Sequence, residues 1–279
     1  MKPFVILFGV LALALTATNA SAASSVKDAA LEAAIRAVIQ FPTGELTDEK
    51  LKNVFILDAQ GKGIKDLAGL EKCPNLSLLR LTKNEVSDLK PIAGCTNLQS
   101  LDVASNKVKD IAPVAGLTKL QYLELSNNEV EKIDAVAGLS ALTSLYLSGN
   151  KIADSAPAAK LTKLWSLHLG KNQLKDIAPL ATLTKLQTLE IAENQISDLT
   201  PLAKFTDLSL LMMSKNKIAD LTPLVKACEA DTAGMKRFAP YLRLYLDGNP
   251  LSEAAKKDQL AALKKAGVRV FDETTPVKK

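Results

Sequence analysis

Aromatic side chains are scarce in this chain. Only 4% of its 279 residues are aromatic: seven Phe, four Tyr and one Trp. Aromatics usually supply much of a core's buried area, so this core must rest on many smaller, equivalent positions. Histidine occurs once and cysteine three times, which excludes a disulfide-dense scaffold, and no cysteine–histidine spacing suits zinc. With 13 Gly the chain is not collagen-like, and at 47% hydrophobic it is not disordered. Neither sign of charge dominates: 35 basic and 30 acidic side chains leave +5, too small and too mixed to argue for nucleic acid. Beyond the N-terminus no apolar run is long enough to span a bilayer, which takes about 20 residues.

Leucine is what the chain has in excess, with 47 residues, roughly one in six. Part of that excess lies in the first 22 residues. Lys2 is followed by the apolar run Phe4–Leu15, a polar turn at 16–19 and the small-residue site Ala20, Ser21, Ala22. This is the plan of a secretory signal peptide cleaved near Ala22. The run is short for the alternative, a membrane anchor, and no cysteine follows it to carry an acyl anchor. The expected mature protein begins near Ala23, is secreted or periplasmic, and makes no stable membrane insertion. Cleavage removes one lysine and no acid, leaving +4.

The remaining leucines are periodic. Asn84, Asn106, Asn128, Asn150, Asn172, Asn194 and Asn216 recur every 22 residues, each preceded at a distance of eight by a leucine, from Leu76 to Leu208. Apolar residues five and three before each Asn complete L-x-x-L-x-L-x-x-N, the leucine-rich-repeat signature. Leu145 and Leu147 are two apart and face one side of a strand, whereas Tyr146 faces the other. The asparagine turns the chain, and its amide can bond nearby backbone. A single rung cannot bury its leucines, so stability requires stacked neighbours. Aspartates from Asp66 to Asp220 and prolines from Pro91 to Pro223 mark a second half-rung, read as a brief 3₁₀ turn capped by the aspartate; capping accounts for the aspartate column better than calcium does. One rung departs, with Lys132 and Ala135 in those columns. Val54, Leu57 and Ala59 form a degenerate first rung with Lys62 in place of Asn. Asn249 follows Asn216 by 33 residues, so residues Cys228–Pro240 should bulge, and nine rungs are expected.

Solenoid ends need covers with a polar outer face. At the start, Leu31, Ile35, Val38 and Ile39 share one face of a helix beginning near Asp28, and Thr47 can cap a second short helix. At the end, Ser252 can cap a helix carrying Leu260 and Leu263 and stopped by Gly267. Val268, Val270 and Phe271 then alternate as an edge strand. The expected organisation is a signal peptide over 1–22, a helical cap over 23–52, repeats over 53–250 with the insertion near 228–240, and a C-terminal cap and tail over 251–279.

The 22-residue unit ending N-x-I-x-D-[IL]-x-P-L resembles the bacterial internalin-type leucine-rich repeat. The stretches Leu31–Arg36 and Leu46–Leu51 are similar to the helical N-cap of that family, and Leu246–Leu251 through Phe271 to the C-terminal segment of many bacterial repeat proteins. The resemblance covers essentially all of residues 26–271. It implies an α/β fold, a right-handed horseshoe solenoid with a parallel sheet on the concave side and short 3₁₀ or irregular segments on the convex side. It also implies binding rather than catalysis.

Residues between the leucines form columns on the concave sheet. The central column runs Asp58, Arg80, Asp102, Glu124, Tyr146, His168, Glu190, Met212 and Tyr245. A second, nearly all small, holds Ala104, Ser126, Ser148, Gly170, Ala192 and Ser214, where a partner's backbone can approach closely. Tyr122, Tyr146, Trp165 and His168 come from consecutive rungs, flanked by Glu124 and Glu190, with Met212 beyond. Exposed aromatics dominate binding energy, so these seven residues are the candidate ligand site, for a protein or peptide. The alternative is that the rings merely pack on one another. A partner with a basic or hydroxyl-rich surface suits the glutamates, and an envelope polysaccharide is the second ligand class. A hydrolase using His168 beside Glu190 is a remote third reading, because no second catalytic motif accompanies it. No cofactor and no metal are expected. Cys73 and Cys95 replace a core leucine in adjacent rungs and lie within disulfide range, although free buried thiols are the favoured reading. Cys228 is the odd thiol, with reactivity or an intermolecular bond open to it. Lysines such as Lys107, Lys151, Lys119 and Lys163 decorate the edges among acids, as a solvated face; anionic polymer is a minor alternative.

Overall fold

The computed structural model describes residues 25–271. Residues 1–24, which include the segment expected to be a signal peptide, and the tail 272–279 lie outside the described residues. Within them the 22-residue period becomes a stack of three-residue strands: β1 (Ile56–Asp58), β2 (Leu78–Arg80), β3 (Ser100–Asp102), β4 (Tyr122–Glu124), β5 (Ser144–Tyr146), β6 (Ser166–His168), β7 (Thr188–Glu190), β8 (Leu210–Met212), β9 (Arg243–Tyr245) and β10 (Arg269–Phe271). All ten pair in parallel, in chain order, as one sheet. Because the period is constant, equivalent residues pair: Ser144 with Ser166, Tyr146 with His168, and Ser166 with Thr188.

Strands β1 to β9 bury their middle residue, and β1 to β7 turn both flanking residues outward. Leu79, Leu101, Leu123, Leu145, Leu167, Leu189, Leu211 and Leu244 are all fully buried. Full burial of one such side chain contributes about 1.5–3 kcal/mol. Opposite the sheet, 3₁₀ turns such as Ala112–Gly116, Ala156–Lys160 and Ala178–Thr182 form the second layer. The aspartate before each turn accepts the N–H two residues on, as Asp110 does from Ala112 at 2.8 Å and Asp176 from Ala178 at 2.7 Å. The rung with Lys132 and Ala135 forms its turn regardless, over Asp134–Gly138. Strands stack about 4.8 Å apart, closer than turns can, so the sheet becomes the concave side.

The asparagines join the rungs. Asn172 Nδ2 donates to the carbonyls of Leu169 in its own rung and Leu147 in the rung before, both at 3.0 Å, while its Oδ1 accepts the Ile152 N–H at 2.9 Å. Asn128, Asn150, Asn194 and Asn216 repeat the pattern. The residue before each asparagine turns left-handed: Lys83, Ser105, Asn127, Gly149, Lys171, Glu193 and Lys215 have φ between +52° and +72°.

At the N-terminal end α1 (Ala29–Val38) is held by Asp28. One carboxylate oxygen accepts from Ala30 and Leu31, and the other from Lys65 and Asp66 of the first rung. Burial opposes the charge on Asp28, but these four N–H donors outweigh it and lower the pKa. Leu31 and Ile35 are buried as expected, whereas Val38 is 42% exposed and Ala34 takes its place in the core. Val38 is the last residue of the helix, at an opening beside Asp58 and Lys62. The outer face of α1 is alanine (Ala29, Ala33, Ala37) rather than strongly polar. Thr47 precedes α2 (Asp48–Leu51) in extended conformation but makes no side-chain cap bond.

The insertion lies in a rung that departs from the short 3₁₀ pattern. It extends the convex turn into a helix, α3 (Thr222–Ala233), whose Leu224 and Cys228 enter the core. Asp231 then accepts from the N–H groups of Arg237, Phe238 and Ala239, folding the chain back with Phe238 buried. Ser252 caps the last helix through the Ala255 N–H, and this helix passes through a π-turn at Ala255–Gln259 into α4 (Leu260–Lys265). Gly267, at φ +96°, sits where a Cβ would meet Pro240. β10 closes the sheet, with Phe271 stacked on Tyr245 at 5.3 Å.

One rung is under-filled. In the columns held elsewhere by Ile133 and Ile177, and by Val136 and Leu180, it carries Ser155 and Ala158, both buried. Ser155 Oγ has no hydrogen-bond partner among the described residues. The variant Ser155→Ile/Ala158→Val should therefore raise stability by about 1–3 kcal/mol. A lower melting temperature would show that the neighbouring rungs have already closed on the smaller side chains. Conversely, Asn172→Ala leaves buried backbone groups of two rungs unpaired and should cost about 3 kcal/mol in chemical denaturation. A cost comparable to a surface substitution would remove the asparagine ladder from the account of stability.

Candidate functional site

The stacked register brings part of the predicted site together. Tyr122 on β4, Tyr146 on β5 and His168 on β6 form one continuous file across three rungs. The Tyr122 and Tyr146 ring centroids lie 5.3 Å apart at 43°, and those of Tyr146 and His168 lie 4.6 Å apart at 35°. All three side chains are half-buried. Burial, then the nearby Glu124 and Asp102, pushes the Tyr122 phenol up to about 12, so it stays neutral. Burial pushes His168 down to about 4, so at neutral pH its ring is uncharged. The 4.0 Å approach of His168 Nδ1 to Glu190 Oε2 is therefore a neutral imidazole beside a carboxylate rather than an ion pair.

The two glutamates face inward to the backbone more than outward. Glu124 accepts the Ser126 N–H at 2.7 Å. Glu190 folds back over the sheet, where Oε2 accepts from Ser148 Oγ at 2.7 Å and from the Gly170 N–H at 2.8 Å, and Oε1 from the Ala192 N–H at 3.1 Å. Its side chain is only 12% exposed. Burial raises the pKa of both glutamates against these hydrogen bonds. Gly170 makes the fold-back possible, since a Cβ there would collide with the Glu190 carboxylate. The small-residue column is thus filled at Gly170 by the protein itself, and a partner's backbone has no room there.

Trp165 and Met212 stand apart from the file. Trp165 lies one residue before β6, is 52% exposed, and enters no ring contact among the described residues. Met212 is half-buried on β8 and pairs in register with Glu190 and with Tyr245. Tyr245 itself is only 4% exposed, covered by Phe271, and so is removed from the open face. At the other end Arg80 pairs with Asp58 at 3.6 Å, and Asp102 accepts from Thr82 Oγ1 at 2.5 Å and from the Ala104 N–H. Sequence reasoning missed the Glu190–Gly170 contact; the lone glycine in an alanine and serine column was its only trace.

The thiols are structural. Cys73, Cys95 and Cys228 are free and buried. Cys73 is directed to the Gly69 carbonyl and Cys95 to that of Leu70, so the bridge their spacing allows is not formed. Burial pushes Cys73 and Cys228 up to about 12 and Cys95 up to about 11, which leaves Cys228 an unreactive core residue rather than the reactive thiol its odd count suggested.

A ten-stranded parallel sheet, 22-residue rungs and an asparagine ladder define a leucine-rich-repeat solenoid. The family profile "Leucine rich repeat" matches residues 96–152, and "Leucine Rich repeats (2 copies)" matches 140–182 and 184–226. Internalin C2 of Listeria monocytogenes is 35% identical with a TM-score of 0.69, over 71% of this chain and 88% of that one. The chain belongs to the bacterial internalin-like leucine-rich-repeat proteins. A second Listeria internalin, InlF, is 25% identical with a TM-score of 0.51, over 90% of this chain and 96% of that one. The plant peptide hormone receptor RGFR1, solved in complex with RGF2, shares the fold at 21% identity and a TM-score of 0.54, over 65% of this chain and 33% of the receptor. No curated protein sequence matches the chain. No helix among the described residues is long and apolar enough to cross a membrane.

His168 is the only histidine, so its ring protons titrate without overlap. An NMR titration should give a midpoint near 4 in the folded protein rather than 6.5. With the folded value below the unfolded one, the contribution to stability is full above 6.5 and is lost as pH falls from 6.5 toward 4. His168→Phe should lack that component of the slope. A native midpoint near 6.5 would mean the ring is solvated rather than held in the file.

Proposed function

We propose that this protein is an exported, non-enzymatic scaffold that binds a protein or peptide on its concave face, centred on Tyr122, Tyr146 and His168. The observation that carries this reading is the stack itself. Because the rings lie against one another, their faces are largely occupied, and a partner meets ring edges, phenol hydroxyls and the neighbouring Ser144, Ser166 and Thr188. Edges and hydroxyls suit the apolar side chains and amides of a polypeptide. The aligned strands keep these groups rigid, so little freedom is lost on binding. The peptide-bound plant receptor with the same fold supports the use of such a scaffold for peptide recognition. Export rests on the signal-peptide pattern of residues 1–22, with the mature chain in the periplasm or outside the cell. Neither nucleic acid nor a membrane is a partner in this reading.

Exposed Trp165 favours a second reading, an envelope polysaccharide stacked on a large ring whose faces are not engaged by the file. Catalysis by His168 is disfavoured, because a base titrating near 4 is weak at neutral pH.

The test is partner capture from envelope extract with the wild type and the Tyr146→Ala/His168→Ala variant. The expected result is a bound protein lost in the double variant and kept in Trp165→Ala. If the double variant keeps every partner, the concave-face assignment is wrong; if only Trp165→Ala loses one, and that partner is a glycan, the second reading replaces the first.

A further inference from the structure

The binding role proposed above gives His168 to a partner, and the inference drawn here rests on that reading. A neutral imidazole carries one proton on either of two nitrogens, and its position decides whether the ring's free nitrogen accepts or donates a hydrogen bond. On the concave face that choice is not left to solvent. Glu190 Oε2 stands 4.0 Å from His168 Nδ1, and the carboxylate is clamped by Ser148 Oγ, the Gly170 N–H and the Ala192 N–H. Burial raises the Glu190 pKa, and the three donors aimed at the two oxygens oppose that rise and hold the carboxylate in place. The clamp exists only because residue 170 has no side chain. On its other side the imidazole is held by the Tyr146 ring at 4.6 Å.

We infer that Glu190 is a positioning residue rather than a ligand contact, and that it sets the polarity of His168: the proton sits on Nδ1, facing the carboxylate, and Nε2 is the ring's acceptor. An N–H directed at a nearby anion in a half-buried site is favoured over a lone pair directed at it, by Coulomb's law at low effective dielectric. Tyr122, Tyr146, Ser144, Ser166 and Thr188 carry hydroxyls that donate or accept as required, and Glu124 is engaged by the Ser126 N–H. His168 is then the fixed element of the surface. The partner feature it selects is an uncharged hydrogen-bond donor, such as a peptide N–H or a side-chain amide. A carboxylate or carbonyl oxygen placed there is repelled.

The sole histidine makes the measurement direct. In the ¹⁵N-labelled protein at neutral pH, the ring nitrogens should show Nδ1 protonated and Nε2 unprotonated. Glu190→Gln, nearly isosteric, and Gly170→Ala, which evicts the carboxylate, should each shift the proton toward Nε2. A wild-type ring protonated on Nε2, or an Nδ1 tautomer unchanged in both variants, overturns the positioning role. The recognition half is tested with a random peptide library displayed on phage and selected on the wild type. Selected peptides should bind His168→Phe, which keeps the stacking ring but lacks the acceptor, about tenfold more weakly. Equal binding to His168→Phe overturns donor selection. A library that yields no concave-face binder overturns the peptide-binding reading instead, while the tautomer still decides the role of Glu190.

Discussion

The asparagine ladder is the constraint on which the rest of the structure depends. At the end of each short strand the chain must turn while its backbone N–H and C=O groups are already out of reach of water. One buried side-chain amide answers both needs, donating to carbonyls of two rungs and accepting an N–H of the earlier one. An aliphatic side chain would fill the same space and leave those groups unpaired, at about 1–3 kcal/mol each. Because the bonds cross from rung to rung, they also set the offset between rungs. That fixed offset lets three-residue strands, too short to be stable alone, form a sheet of ten.

From the constant offset follows the character of the concave face. Residues 22 apart in sequence become neighbours about 4.8 Å apart, so a column of letters becomes a physical surface. Tyr146 and His168 stack for that reason alone. The same geometry places Ser148, Gly170 and Ala192 around Glu190, three rungs converging on one carboxylate. The candidate site is therefore a consequence of periodicity, differing from the rungs around it only in the identity of the outward residues.

Much of this was legible in the sequence because each rung repeats the same physical problem. The leucine and asparagine columns, the aspartate caps and the aromatic cluster were all visible as periodicities. What escaped was specific to one rung or to an end. Val38 lies on the predicted apolar face of α1 yet is exposed, because its neighbours run out there. The segment after Thr222 became a helix because Leu224, Cys228 and Phe238 could be buried by it, a packing outcome without a periodic signal. The left-handed turn before each asparagine was hidden because lysine, serine, asparagine and glutamate occupy six of the seven positions and glycine only one. The fixed turn on either side over-determines that backbone, so the usual preference is overridden.

By itself, then, the sequence determined the fold and the faces. A 22-residue period of leucine and asparagine admits one economical packing, and strand alternation dictates which residues point outward. Only the tertiary structure decided what those outward residues do. Glu190 and Tyr146 occupy the same column and read alike as exposed contacts. One bends into the notch at Gly170 while the other stands in a stack, because a side chain's final direction depends on neighbours one and two rungs away. The scarcity of aromatics ends with the same division: sequence showed that the core does largely without them, and structure showed that two of the four tyrosines lean on each other and on the only histidine.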